Sequence, residues 1–575
     1  MRDQKKKKKA SKSKTNRPDK QGVPVGARIR APADKITMLP LGGVGAIGMN
    51  NMLIGCDGHW LMLDSGVMFP DKASPGVDLV LPCLDVLDRL EGEFHGVVLT
   101  HGHEDHIGSL PFVRMRHDVR IWGTAFTLGL VRARFAEHKL DISCLRETTP
   151  GKQLQLGPFT IDFLRVTHSI PDCVSLAIRT PVGNVLFTGD FKIDHGLPCG
   201  TRFDEAGYRA FGKEGVLLMM ADSTNIQRPG RTVSEAEVAI GLRDAMAEAP
   251  GRVFIGLFSS NLYRLHGVLA AARETGRKVC LLGRSLHKYL EVATEWGGNL
   301  DFSGPLISDS AIGNYADHEL LFVCTGTQGE PRAALGRIAA GAHRVKIHED
   351  DTLILSARAI PGNLREIHQM IDGFTRAGAH VFHRDAPWPI HASGHAAHDE
   401  LEDVLRWVKP KIFAPVHGTR TFLEDHADLG EDCGIERVCV FENGDVLQVD
   451  QKGAHVVDQI ELTPWYYDGM HSGTRDTLGV RQRVDLARDG AISVCVAIGD
   501  APTQVHLDTR GVYTDGGRLV QKLEAALVPY IDRLDILDHE GLQEEVRLFT
   551  RRFFKRETGK KPQVMATLFR TSGAA

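Results

Sequence analysis

Gly96-Val97-Val98-Leu99-Thr100-His101-Gly102-His103-Glu104-Asp105-His106-Ile107 opens as an apolar strand and closes on three histidines and an aspartate within six positions. Imidazole and carboxylate are the ligands of borderline divalent cations such as zinc. A loop at a strand end can aim alternate side chains at one point, which a helix cannot do at this spacing. The bland alternative, a polar loop rich in histidine, is the weaker reading.

Four ligands on one loop do not complete a centre for two cations, and three further strand ends offer more. They are Val166-Thr167-His168-Ser169, Thr188-Gly189-Asp190-Phe191 and Pro415-Val416-His417-Gly418. Leu63-Asp64-Ser65-Gly66 has the same form and suits a carboxylate placed behind an imidazole, fixing its tautomer. Each taken alone reads as a turn residue or a satisfied core polar group. Only their joint occurrence points to chemistry.

With 575 residues the chain is too long for one ordinary domain and suggests two or three. Its 42% hydrophobic and 25% charged residues are those of a soluble globular protein. No apolar run approaches the length of a membrane span, and the N-terminus lacks the apolar stretch of an export signal. The ten cysteines stand singly, with no CxxC pair, which argues against thiolate metal sites and disulfides and fits a reducing cytoplasm. Residues 1–30 carry twelve Lys/Arg against Asp3 and Asp19, in a chain whose net charge is −4. Such a tail, taken as 1–34, is expected to be disordered. It is equally a sequence-independent phosphate-binding arm or a solubilising tail.

From Lys35 onward short strands (36–41, 51–53, 60–63, 96–100) alternate with helices at 83–90 and 125–138. Strand signals return at 159–166, 175–179 and 184–188. The middle of the chain reads as βα repeats of a separate parallel-sheet unit, with helices at 235–249, 262–275, 286–296 and 363–377. A helix at 397–408 and a strand at 411–415 lead to His417. The pattern loosens into a linker at 456–473. A last α/β segment at 474–575 closes the chain.

The motif set resembles the metallo-β-lactamase superfamily, an α/β fold built as an αββα sandwich with metals at one sheet edge. That resemblance implies His101, His103 and His168 on one zinc and Asp105, His106 and His417 on a second. Asp190 would bridge the two, with Asp64 in support. Zinc is the expected pair of divalent ions, although manganese and magnesium accept parts of this set. More than 160 residues lie between Asp222-Ser223-Thr224-Asn225 and His391-Ala392-Ser393-Gly394-His395. This insertion resembles the β-CASP branch of nucleic-acid nucleases, in which Asp222, His395 and His417 match successive motifs. The resemblance implies that His395 faces the scissile phosphate or leaving oxygen. The implied domains are 35–225 and 386–455 for the sandwich, 226–385 for the insertion and 474–575 for a C-terminal unit.

Further matches narrow the resemblance to the ribonuclease J family. They include Leu41-Gly42-Gly43-Val44-Gly45, Gly189-Asp190-Phe191-Lys192, Ser260-Asn261 with Arg264, the run Cys324 to Pro331, Ile360-Pro361-Gly362-Asn363 and Phe553 to Pro562. Ala46 stands where that family usually has glutamate, and Leu364 follows Asn363 in place of a small or acidic residue. The family implies RNA hydrolysis, 5′-to-3′ exonucleolytic with preference for a 5′-monophosphate and also endonucleolytic, in rRNA processing and mRNA decay. Ser260, Asn261, His391, Ala392, Ser393, Gly394 and His395 are the expected phosphate pocket. The family also implies a structural calcium, with Asp445 a candidate ligand, although Asn443-Gly444-Asp445 is equally a hairpin turn. A homodimer or homotetramer through the C-terminal domain and an RNA-decay complex are the implied partners, with no membrane. A β-CASP nuclease acting on DNA and a silent RNA-binding subunit are the competing readings. Silent subunits lose ligands, and every ligand position here is filled.

Overall fold

The computed structural model describes residues 28–571 apart from 72, 361, 384–385, 500–501 and 535–537. Most of the expected basic tail therefore lies outside the described residues. Its last part does not behave as a tail. Ile29 pairs as a parallel bridge with Leu90, and its N–H donates to the Arg89 carbonyl at 2.8 Å. An apolar residue flanked by Arg28 and Arg30 was hidden by their charge.

Two compact units make up the chain. The first, comprising Met1–Met68 and Leu81–Thr463, contains two mixed sheets face to face. One orders its eight strands Gly453–Gln459, Asp445–Asp450, Ile36–Gly42, Asn51–Cys56, His59–Leu63, Glu93–Val98, Arg120–Gly123 and Leu145–Glu147. The other runs Arg437–Val438, Ile412–Val416, Val216–Asp222, Asn184–Phe187, Val174–Arg179, Phe159–Arg165 and Gln153–Leu156. The core between them includes Ile54, Leu61, Phe159, Leu176, Met220 and Leu447. Strands such as MLIGC and LLMMA are buried on both faces because helices cover the outsides. Ala125–Glu137 packs on the first sheet, and Glu205–Glu214 and Arg420–Asp432 on the second. This is the metallo-β-lactamase fold.

Between the strands Val216–Asp222 and Ile412–Val416, which pair in parallel, the chain builds a five-stranded parallel sheet. Its order is Lys278–Leu282, Leu320–Cys324, Val253–Gly256, Thr352–Leu355 and His380–Phe382. Apolar strands such as LLFVC and TLIL, each followed by a helix, force this arrangement, since both faces must be covered.

The second unit unites Pro464–Ala575 with Phe69–Val80. The strand Ala491–Gly499 pairs with Gln504–Arg510 and, in parallel, with Gln563–Thr571. Helices Arg518–Ile531 and His539–Thr558 cover one face. Two expectations are corrected here. Residues 456–473, expected as a linker, contribute the end of Gly453–Gln459 and the strands Trp465–Asp468 and His471–Gly473. Phe69–Val80, expected in the first domain, belongs to this unit, where Leu79–Leu81 extends the same small sheet. The helix expected at 83–90 tightens to a 3₁₀ segment, Leu84–Arg89.

A candidate metal centre at the strand ends

Parallel pairing brings strand ends flush. Leu63 pairs with Val98, so Asp64 lies beside the start of the histidine loop. Asp222 pairs with Val416, so it neighbours His417. Asp64 and His417 turn out of their strands at φ +59° and +50°, left-handed conformations that cost a non-glycine residue about 1–2 kcal/mol. The expectation of a pure loop at 101–106 is corrected, because Glu104–Ile107 is a helical turn. His101 and His103 leave the strand extended, and that turn swings Asp105 and His106 toward the same point.

Two donor sets share Asp190. In the first, His103 Nδ1 lies 3.2 Å from His101 Nε2 and 3.1 Å from His168 Nε2. Asp190 Oδ2 stands 3.8 Å from His101 Nε2 and 3.9 Å from His168 Nε2. In the second, His106 Nε2 is 3.2 Å from Asp190 Oδ2 and 3.7 Å from Asp105 Oδ2, and His417 Nε2 is 3.6 Å from Asp105 Oδ2. Ligands about 2.0–2.1 Å from one tetrahedral zinc are separated by about 3.3 Å, so these edges suit a cation in each set. His417 Nδ1 and Asp190 Oδ1 lie 2.8 Å apart without hydrogen-bond geometry. Asp190 Oδ1 and His417 Nε2, both buried, have no hydrogen-bond partner among the described residues. Buried donor atoms left facing one another in this way fit divalent cations.

Burial, with neighbouring histidines, holds His101 and His168 well below the usual imidazole range and brings His103 down to about 4. These three rings are neutral and offer lone pairs. Burial opposes protonation of His106 and His417 as well, but the Asp190 and Asp105 carboxylates outweigh it and hold both rings well above normal. A cation in the second set therefore has to displace protons. Asp64 sits behind the site. Its Oδ2 accepts from His106 Nδ1 at 2.8 Å and from Thr100 Oγ1 at 2.8 Å, fixing the ring tautomer. His395 Nδ1 is 2.7 Å from Asp222 Oδ2, and burial is again outweighed by Asp222 and Asp190, which raise the ring above its usual range.

Four family models match the chain in order. They are the β-lactamase superfamily domain at 59–206, the ribonuclease J β-CASP domain at 250–374, the Zn-dependent metallo-hydrolase RNA specificity domain at 389–440 and the ribonuclease J C-terminal domain at 478–571. Ribonuclease J of Sinorhizobium meliloti is 37% identical over 550 residues, covering 92% of this chain and 96% of its own. The chain belongs to the ribonuclease J family. Ribonuclease J of Thermus thermophilus is 34% identical, over 93% of this chain and 95% of its own. Among solved structures, a protein of unknown function from Enterococcus faecalis V583 shares the fold at TM-score 0.51 and 15% identity, covering 72% of this chain and all of its own.

In this ribonuclease J family chain the expected phosphate pocket is unevenly equipped. Ser393 Oγ accepts from Asn225 Nδ2 at 2.7 Å and from the His395 N–H at 3.3 Å, which leaves its own proton to donate. Ser260 is half-buried, with no hydrogen bond to its hydroxyl among the described residues. Asn261 is committed elsewhere: its Oδ1 caps the helix Leu262–Glu274, and its Nδ2 donates to Glu235. Burial, with Arg264, drives His391 down to about 3, so this ring is neutral. The Gly394 carbonyl accepts from His168 Nδ1 at 2.5 Å, and a Cβ there would stand 2.7 Å from that ring. The Ala392 carbonyl accepts from Arg264. Asp445 is buried, its two oxygens taken by the Glu442 N–H and Gln459 Nε2, and it joins none of the metal-capable groups among the described residues.

Sequence reading missed Asn50, which donates to Asp105 at 3.3 Å, and the buried pair Glu235–Arg264. Glycines at 42, 43, 45 and 48 marked a tight loop before Asn50 but not what it would touch. No described helix is long and apolar enough to cross a membrane.

Proposed function

We propose that the chain is a metal-dependent ribonuclease that degrades RNA from 5′-monophosphate ends in the 5′-to-3′ direction and also cuts internally. The observation that carries this reading is the convergence of two donor sets on Asp190, with the His395–Asp222 pair beside them. Two divalent cations, zinc by the donor set, would supply an acidified water and positive charge for attack on a phosphodiester. Asp105, His106 and His417 would hold one cation, and His101, His103 and His168 the other, with Asp190 available to both donor sets and Asp64 orienting His106.

Asp222 takes the Nδ1 proton of His395, so Nε2 is the end available to substrate. The side chain is 22% exposed, enough to be reached. A ring held protonated there donates to the leaving oxygen as negative charge develops. Ser393, with its free proton, and Ser260 suit a terminal phosphate, and binding that phosphate would set the exonucleolytic step. A cleft of about 970 Å³ opens beside Glu104 and Ile107. Six cations line it (Arg134, Arg284, Lys288, Arg332, Arg337 and Arg344) against three carboxylates, which suits a single-stranded polyanion. Assembly through the C-terminal unit is part of the same proposal. It is supported by Met565 and Phe569, both more than half exposed on its sheet.

The test compares 5′-monophosphate RNA, 5′-triphosphate RNA and 5′-phosphorylated DNA of one sequence, with zinc supplied. Mononucleotide release from the monophosphate RNA alone is expected. Equal or faster cleavage of DNA would overturn the RNA assignment, and no cleavage of any substrate would favour a silent binding subunit.

A further inference from the structure

His395 rides on a segment, 386–397, that has neither helix nor strand. A backbone bond, from the Ala396 N–H to the Phe191 carbonyl at 2.6 Å, and several side chains set its position. Asn225 and Thr232 hold the His395 carbonyl, and the most heavily engaged side chain comes from the inserted domain. Arg264, on the helix Leu262–Glu274, is 2% exposed. Its Nε and Nη2 donate to the two oxygens of Glu235 at 2.7 and 2.8 Å. Nη1 donates to the Ser356 carbonyl at 3.0 Å and to Ser356 Oγ at 2.5 Å, and Nη2 also donates to the Ala392 carbonyl at 3.2 Å. All five guanidinium N–H groups are thus used. Ser356 Oγ continues the chain to the Ile390 carbonyl at 2.6 Å.

The far side of this network reaches the strand exit that carries Asp190. Glu235 Oε1 is 3.7 Å from Lys192 Nζ, which lies 2.9 Å from Asp194 Oδ2, and Asp194 accepts the Glu235 N–H at 2.9 Å. Two buried cations and two buried carboxylates therefore join residues 192–194, the first two helices of the insertion and the segment holding His395. Such desolvated charges hold only while paired, since removing one partner leaves an uncompensated buried charge, so the network fixes the relative placement of the segments it joins.

We propose that Arg264 is a positioning residue, fixing the height of the His395 segment against the metal centre from within the inserted domain. The inference rests on the role given to His395 above. It assigns the insertion a part in chemistry in addition to any part in RNA binding. Lysine cannot replace the fork, because its donors radiate from one point and cannot span Glu235, Ser356 and Ala392 together.

The full-length protein with zinc tests this in single-turnover cleavage of 5′-monophosphate RNA. Arg264→Lys keeps the charge opposite Glu235. It is expected to lower the cleavage rate about 100-fold while changing KM less than about 3-fold. Zinc content should stay that of the wild type, measured well below the variant's own lowered Tm, since buried acceptors lose donors. Amide hydrogen exchange should quicken at 390–397 beyond the change seen elsewhere in the chain. In a His395→Ala background the same substitution should cost less than about 3-fold, because the group it positions is gone. Fully additive losses, exchange unchanged at 390–397, or a fall in activity that tracks lost zinc would each overturn the proposal. Should Arg264→Lys fail to fold, Ser356→Ala removes one link of the same chain. It should give the same signature at lower amplitude, and the absence of that signature would be equally fatal. A wild-type chain that leaves RNA intact would sink the functional reading instead, while exchange at 390–397 would still report on the clamp.

Discussion

At the residue scale, His103 is the hinge of the first donor set, since its Nδ1 faces both His101 and His168. His103→Ala should abolish RNA cleavage and lower bound zinc while leaving RNA binding intact, as measured by turnover, metal analysis and a binding titration. Undiminished turnover would refute the metal assignment. His426 makes a different prediction. Burial drives it down to about 3, and it stacks edge-on against Phe413 with its Nδ1 3.0 Å from Ser223 Oγ. Its folded-state value lies below the unfolded 6.5, so the native state binds fewer protons. Its contribution is then complete above about pH 6.5 and falls by about 1.4 kcal/mol per pH unit on acidification toward about 3. Urea melts between pH 7.5 and 4.5 should show a shallower pH slope in His426→Asn than in the wild type; equal slopes would show that the ring does not titrate on unfolding. The residues of the two donor sets were expected from sequence because most of them sit at or just beyond the end of an apolar strand, and the structure brings them together. Glu235 was not, and Arg264 entered only as a family match without its buried partner, since a charged residue on a helix reads as a solvated face until a partner from elsewhere buries it.

At the element scale, the helical turn Glu104–Ile107 is held against Gly66. A Cβ there would come within 1.7 Å of the Asp105 carbonyl oxygen, while the Gly66 N–H donates to the Asn50 carbonyl at 3.0 Å. Gly66→Ala must push this turn away, at a cost of about 1–3 kcal/mol. Because Asp105 and His106 move with it, zinc affinity should fall as well as Tm; retained affinity would mean that the turn relaxes without moving its ligands. The βα alternation of the insertion followed from its apolar runs and amphipathic helices, whose ends shifted by a residue or two. The short strands Thr352–Leu355 and His380–Phe382 and the helix Ala334–Ala339 were not read, 380–398 being expected as loops. The two short strands after Pro464 were invisible because neither is long enough to show alternation. The allegiance of Phe69–Val80 rests on pairing with residues at the other end of the chain, and no local pattern reports that.

At the scale of the whole molecule, the proposed function places the RNA strand in the cleft that opens beside Glu104 and Ile107. Arg284 and Arg332 are exposed on its wall, with no ion pair recorded for either among the described residues. Replacing each with alanine should raise KM and make the salt dependence of RNA binding shallower by about 0.7 per cation removed, with kcat little changed. An unaltered salt slope would place the strand elsewhere. The architecture as a whole, a sandwich with an insertion and a further unit, was readable from motif order. The membership of the second unit was not, because the chain passes between the two units three times.

That crossing has a consequence for biosynthesis. The Gly469 N–H donates to Asp78 Oδ2 at 2.8 Å, a contact spanning 391 positions. At ribosomal speeds of about 5–20 residues per second, Phe69–Val80 must wait about 20–80 s for its complement to emerge. During that interval it is an unsheltered strand edge, and a messenger cut short before residue 464 would leave it so for the lifetime of the polypeptide.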